Sequence, residues 1–314
     1  MESNYKTLGK AARLWRFLRT SRLWFALGIT SAFIMTGLEM VSPQIVNFTV
    51  DNLLSGKPWE APKLLAPYDG ENSAERFIAN MDYAGVSGAV ITQEYIDGNQ
   101  DEYLSEVRRK YPDRIKVCAL YEEKDLGDIS SFDGIKICAS RLKDKNLLSH
   151  LQPFEVADKY GKFISIDLDD GDVQCGAMEE IIKRFPDLRI AIGHFAMVTR
   201  EGWLEQIKLA KNKNVYIESG GITWLFNSEF YPYPSAVDAI IEAASLVGFN
   251  KLMWGSDYPR TMTAITYKMS FDFVIKSDKL SDENKKLFLG ENAVNFYGFR
   301  NIQEPEKIRN MVED

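Results

Sequence analysis

Residues 251–260 read K-L-M-W-G-S-D-Y-P-R: a short apolar run, a glycine, then Asp257 and a Tyr-Pro-Arg turn. An apolar run this short that ends in a carboxylate reads as a buried strand delivering one polar group to the rim of a sheet. The same pattern recurs upstream. Strand-like runs are read at Gly88–Gln93, Ile115–Tyr121, Gly134–Ala139, Phe163–Leu168, Arg189–His194 and Val215–Glu218, with Lys251–Gly255 as the seventh. Helical patterns such as A-E-R-F-I-A-N-M-D-Y-A-G and A-M-E-E-I-I-K-R-F-P-D lie between them. Runs apolar on both faces and alternating with helices point to a parallel sheet covered by helices. The fold class expected is therefore α/β, a TIM (β/α)8-like barrel. The competing arrangement, an open doubly wound sheet, lacks its glycine-rich phosphate fingerprint after any strand.

Seven strands leave the barrel one short. The missing first strand should precede Ser73, and it is either absent or replaced by the β-branched segment Gln44–Val50. In such a barrel, function gathers at strand C-termini. Those ends carry Glu94, Lys136, Asp167, His194, Glu218 with Ser219, and Asp257. Carboxylates and imidazole are ligand types for a divalent ion and also serve as general acids or bases. Each has a plainer reading. His194 would be a core histidine, Glu94 a cap for the next segment, and Lys136 half of an ion pair with Asp167 or Glu94. The run D-L-D-D-G-D after Ile166 would be a solvated turn, since it lacks the distal glutamate of a calcium loop. His150, in L-L-S-H-L-Q-P, reads as a surface residue.

Charge divides the chain in two. The net charge is -7, but residues 1–56 carry six Lys/Arg against Glu2, Glu39 and Asp51, a balance of +3, which leaves -10 for 57–314. An acidic main domain does not suit a nucleic-acid partner. The domains expected are 1–56 and 57–314. In the first, Lys10, Arg13, Arg16, Arg19 and Arg22 recur about once per helical turn, which suits an anionic membrane surface. From Leu23 to Leu38 no charge interrupts the chain, and a membrane helix within residues 10–50 is the expectation, with a signal peptide or a buried helix as alternatives. Cations before the span would keep the N-terminus inside and export the barrel. Three separated cysteines, Cys118, Cys138 and Cys175, argue instead for free thiols and a cytoplasmic location.

Two resemblances add to this reading. L-W-R-F-L-R-x-x-R-L-x-x-A-L, followed by G-L-E-M-V-S-P-Q-I-V-N-F-T-V-D-N-L-L-S-G-K-P, resembles the first membrane helix of an ABC-type exporter, although no G-x-x-x-x-G-K-[ST] loop follows. From about Ser73 to Phe299 the chain resembles the amidohydrolase-related branch of the metal-dependent amidohydrolases. The stretches that carry this are M-D-Y-A-G-V-S-G-A-V, E-Y-L-S-E-V-R-R-K-Y-P-D-R, F-P-D-L-R-I-A-I-G-H, L-M-W-G-S-D-Y-P and G-E-N-A-V-N-F-Y-G-F.

The second resemblance implies an enzyme that uses a divalent ion (Zn, Mn or Mg) to hydrolyse or decarboxylate a small carbonyl or carboxylate substrate. His194 matches the family histidine of the sixth barrel strand and Asp257 the aspartate of the eighth, the implied base or ligand. His194, Asp257, Asp167 and Glu94 are the implied metal ligands. Lys136, Glu218, Tyr258 and Arg260 are the residues expected to face substrate, with Arg260 suited to a carboxylate. Two departures stand out. The family's H-x-H is absent, and its fifth-strand histidine is Asp167 here. The alternatives are therefore loss of the metal, an inactive barrel tethered to a membrane or used as a binding module, and a chain joining an exporter-derived N-terminus to a barrel.

Overall fold

The computed structural model describes residues 72–305, together with the exposed helical residues 15, 19, 27, 30 and 31. Apart from those five positions, the basic segment, the uncharged run 23–38 and the exporter-like stretch lie outside the described residues, as does the candidate strand 44–50. Among the described residues no helix is long and apolar enough to cross a membrane, so the expected span and membrane contact find no support. The chain divides into units Met1–Glu71 and Asn72–Asp314.

The second unit is built on seven parallel strands whose order in the sheet is their order in the chain: β1 Ala89–Ile91, β2 Ile115–Leu120, β3 Gly134–Cys138, β4 Phe163–Asp167, β5 Arg189–Ile192, β6 Val215–Glu218 and β7 Leu252–Met253. Each lies inside a run read from the sequence. A doubly wound sheet reverses its strand order at a switch point, and this sheet does not. Among the described residues the seven strands form a TIM-like half-barrel, with no pairing that joins β1 to β7. Helices α1 (Ala74–Ala84) and α2 (Asp101–Lys110) flank β1. Helix α3 (Gln152–Lys159) precedes β4, α4 (Cys175–Arg184) precedes β5, and α5 (Trp203–Lys208) precedes β6. The connection from β2 to β3 contains no α-helix.

Alternation along the strands divides the core. Ile135 and Ile137, Ile164 and Ile166, Ile190 and Ile192, and Val215 and Ile217 are all buried in the larger apolar cluster with the helices. Each such side chain is worth roughly 1.5–3 kcal/mol on burial. The alternate positions Cys118, Phe163, Ala191 and Met253 form a separate cluster with Phe296 and Tyr297. Those two aromatics belong to a helix at Asn292–Tyr297, within the G-E-N-A-V-N-F-Y-G-F stretch. Asn292 in the same helix donates to the carbonyls of Phe249 and Leu252 at 2.7 and 2.8 Å, which ties it to the start of β7.

Packing inside this second cluster is tight at one point. Gly134 pairs with Phe163 across β3 and β4, and a Cβ on Gly134 would collide with the Phe163 ring. Gly134→Val should cost roughly 1–3 kcal/mol, as overpacking does. Phe163→Leu in the same chain should recover part of that loss, and urea unfolding of the two single variants and the pair measures the coupling.

Candidate active site

The rim is assembled by strand register. Cys138 at the end of β3 sits opposite Asp167 at the end of β4, and Lys136 lies two residues back on the same face. Lys136 Nζ reaches Asp167 Oδ2 at 2.5 Å, with the two side chains only 5% and 12% exposed. His194, just past β5, brings Nδ1 within 3.0 Å of Asp167 Oδ1. That approach is not aligned as a hydrogen bond, so Asp167 Oδ1 is a buried acceptor with no hydrogen-bond partner. On its other side, His194 Nε2 lies 3.7 Å from Asp257 Oδ1, and both of these side chains are about a quarter exposed. Lys136 and Asp167 thus form a floor, and His194 and Asp257 form the lip.

Local backbone makes these approaches possible. His194, Phe195, Ala196 and Met197 all have left-handed φ, between 46° and 54°, and Asp257 has φ 51°. Such conformations cost a non-glycine residue roughly 1–2 kcal/mol, and strain of this kind collects where side chains must be re-aimed. Two glycines clear the space between. A Cβ on Gly193 would strike Asp167 Oδ1, and one on Gly255 would overlap the carboxyl of Glu218. Glu218 therefore occupies the space beside β7 that a side chain at 255 would fill.

Charges inside the cluster settle one another. Burial works against a charged Asp167, but Lys136 and His194 outweigh it and hold the carboxyl well below the ordinary range. Asp167 in turn raises His194 well above its usual value against the effect of burial, so the imidazole is a cation at neutral pH. Burial also pulls Lys136 down, yet Asp167 more than compensates and the ammonium is retained. Glu218 goes the other way. Burial lifts it to about 7, with His194 and Lys136 offsetting only part of the rise.

Other residues join or stand apart. Trp224, on the short helix Ile222–Leu225 after β6, donates Nε1–H to Asp257 Oδ2 at 2.6 Å. Arg260 is exposed and stacks its guanidinium 4.1 Å from the Trp224 ring centre. Glu94 accepts from the Tyr95 amide at 2.9 Å, as a cap does, and faces Arg141 at 3.5 Å. It also comes close to Cys138 and Asp167, with one ligand atom of each within 4.8 Å of the others. Tyr258 is not drawn into the cluster: its ring packs on Phe77 and Tyr267, with centroids at 4.8 and 5.8 Å. A cleft of about 430 Å³ is lined by residues 198–205 and by none of the clustered side chains.

Nearby readings are also resolved. Asp169 pairs with Lys145 and Asp170 with Arg200, so the run after Asp167 is an ion-paired turn and not a calcium loop. His150, expected on the surface, is buried, with Nδ1 2.9 Å from Tyr121 Oη and Nε2 2.7 Å from the Asp144 carbonyl. The three cysteines are free thiols. Trp224 went unread in the sequence, and Cys138 was read only as a free thiol and not as a neighbour of the rim. The one signal for Trp224 was its place just after Glu218-Ser219-Gly220-Gly221, at a strand end.

Residues 51–299 match the family described as amidohydrolase. The chain belongs to the amidohydrolase family. Among solved structures, it is similar to a candidate 2-pyrone-4,6-dicarboxylic acid hydrolase from Pseudomonas putida, with 18% identity and a TM-score of 0.60, covering 80% of this chain and 93% of that one. An amidohydrolase from Burkholderia multivorans with bound zinc has 13% identity and a TM-score of 0.59, covering 76% and 96%. A TIM-barrel protein from Bordetella bronchiseptica has 14% identity and a TM-score of 0.51, covering 72% and 83%. At these identities the likeness is one of fold. No curated protein sequence matches the chain.

Because Glu218 is held at about 7, above its ordinary 4.5, the folded chain binds that proton more tightly than the unfolded chain does. The stability this lends is complete below about pH 4.5 and is lost as pH rises through 7. Glu218→Gln removes the titration. Relative to the variant, the wild-type chain should lose about 2 kcal/mol between pH 5 and pH 8, read from urea midpoints at each pH.

Proposed function

We propose that this chain is a hydrolase of the amidohydrolase kind, acting on a small carbonyl compound that bears a carboxylate, with Asp257 as base and His194 as the polarising acid. The observation that carries this reading is the His194 imidazolium held between a buried carboxylate, Asp167, and an accessible one, Asp257. Trp224 fixes Asp257 through Oδ2, which leaves Oδ1 as the oxygen able to take a proton from an attacking water. The 3.7 Å gap from His194 Nε2 to Asp257 is beyond hydrogen-bonding distance. That N–H is free to donate to a carbonyl oxygen as it gains negative charge, while Asp167 keeps the ring protonated. Arg260, stacked on Trp224, sets a cation at the lip that suits a substrate carboxylate. The Pseudomonas neighbour, a candidate hydrolase for a dicarboxylic acid, supports that substrate class. Decarboxylation of such a substrate would use the same cations.

The zinc of the Burkholderia neighbour raises the question of a Zn, Mn or Mg ion here. The donor set argues against one. Of Glu94, Cys138 and Asp167, the glutamate accepts the Tyr95 amide and faces Arg141. Burial pushes the Cys138 thiol up to about 12, so an ion binding there would have to displace its proton. Asp167 Oδ2 is taken by Lys136. His194 would have to give up the proton that Asp167 favours on its ring before it could offer a lone pair. Within that trio only Asp167 Oδ1 is open, and one open acceptor falls short of the three or more ligands a protein-bound ion needs; the unengaged Asp257 Oδ1 lies across the His194 ring from it. A divalent ion would also stand near a buried ammonium, a repulsion of roughly 4 kcal/mol per unit charge at 4 Å and an effective dielectric of 20. The residues present do not fit the metal, and the steps above require none.

A second reading has one observation in its favour. The Lys136–Asp167 contact would equally hold together the mouth of a barrel that binds a ligand without turning it over. Rates separate the two. On a panel of carboxylated lactones and esters, Asp257→Asn should lower kcat/KM by about 10²–10⁴-fold, and Arg260→Ala should raise KM about tenfold with kcat kept. Equal rates for wild type and Asp257→Asn would leave only the binding reading.

A further inference from the structure

Two carboxylates, Asp167 and Asp257, converge at the rim beside the carboxyl of Glu218, and buried carboxylates need a cation among them. Geometry identifies which cation it has. Lys136 is inside a strand, 4% exposed, and its Nζ touches Asp167. Both ring nitrogens of His194 face carboxylate oxygens, one on Asp167 and one on Asp257. Asp257 spends its other oxygen on Trp224. Glu218 fills the space beside Gly255 and Gly220. Of the carboxylate oxygens that could surround an ion, Asp167 Oδ2 and Asp257 Oδ2 are therefore already held by protein donors.

We infer that the Lys136 ammonium is the resident cation of this rim, standing where a divalent ion would otherwise be needed to hold the carboxylates together. A lysine can do this because its charge arrives with a covalent tether, so the site is complete when the strand is paired. The inference concerns what neutralises the site and does not depend on turnover; its test reads metal binding and stability, while the hydrolase reading is tested by rates.

The consequence is specific. Lys136→Met keeps the stem and removes the charge, leaving Asp167, Glu218 and Asp257, with Glu94 and Cys138 beside them, around a gap that His194 alone offsets. The full-length wild-type chain, dialysed against chelator, should hold no stoichiometric metal, and added Mn²⁺ or Zn²⁺ should leave its melting temperature unchanged. Lys136→Met should melt lower without metal. It should then gain roughly 5 °C with millimolar Mn²⁺ and bind about one ion per chain by elemental analysis. Asp167→Asn added to Lys136→Met should abolish that response.

Two results would overturn the inference: a tightly held ion in the wild-type chain whose removal lowers the melting temperature, or a folded Lys136→Met that ignores metal. Should Lys136→Met not fold, Mn²⁺ titration calorimetry on the wild-type chain decides alone. One-to-one binding tighter than millimolar that is lost in Asp257→Asn counts against the inference, and the absence of such binding supports it.

Discussion

The contact between Lys136 and Asp167 is the constraint around which the rim is arranged. Taking an ammonium and a carboxylate out of water costs several kcal/mol for each, and only close mutual contact with supporting partners compensates. At 2.5 Å the contact is close, and it ties β3 to β4 where they reach the mouth. Its presence dictates what surrounds it. Asp167 lowers the cost of charging His194, and the left-handed turn at His194–Met197 is the backbone arrangement that accompanies that approach. Gly193 is needed because any side chain there would strike Asp167. Removing either partner alone would leave a buried charge unpaired, a loss on the order of 3–5 kcal/mol.

The sheet was legible because its physics is local. A parallel strand covered on both faces must be apolar in nearly every position, so short isoleucine- and valine-rich runs stood out, and all seven strands fall inside them. The rim positions were legible for the same reason, since a polar residue closing such a run has few other places to go. What the sequence could not show is pairing across strands. Trp224 is 33 residues from Asp257 and meets it only after β6 and β7 lie side by side. Tyr258 adjoins Asp257 in the chain, yet its ring turns toward Phe77 and Tyr267, a choice made by packing against α1 and not by its neighbours in sequence. His150 misled through its polar flanks, because burial depended on Tyr121, 29 residues away. The β2–β3 connection, helix-free, shows that strand order can hold where one crossover has lost its regular element.

Family membership and local chemistry constrain function differently. The match over 51–299 fixes ancestry and accounts for a parallel sheet with polar strand ends. It does not fix the charge state of those ends, which depends on individual residues. Here the balance comes out near zero without any added ion. Asp167 and Asp257 stand against Lys136 and His194, and Glu218 avoids becoming a third uncompensated anion by keeping its proton up to about pH 7. A neutral rim of this kind offers both an acid and a base within one imidazole's width. The buried pair is too enclosed to meet a substrate, and on the proposed reading proton transfer falls to the edge, where Asp257 has its orientation fixed by Trp224 and one oxygen unengaged by any hydrogen bond. On that reading, accessibility separates the residue that holds the site together from the one that reacts.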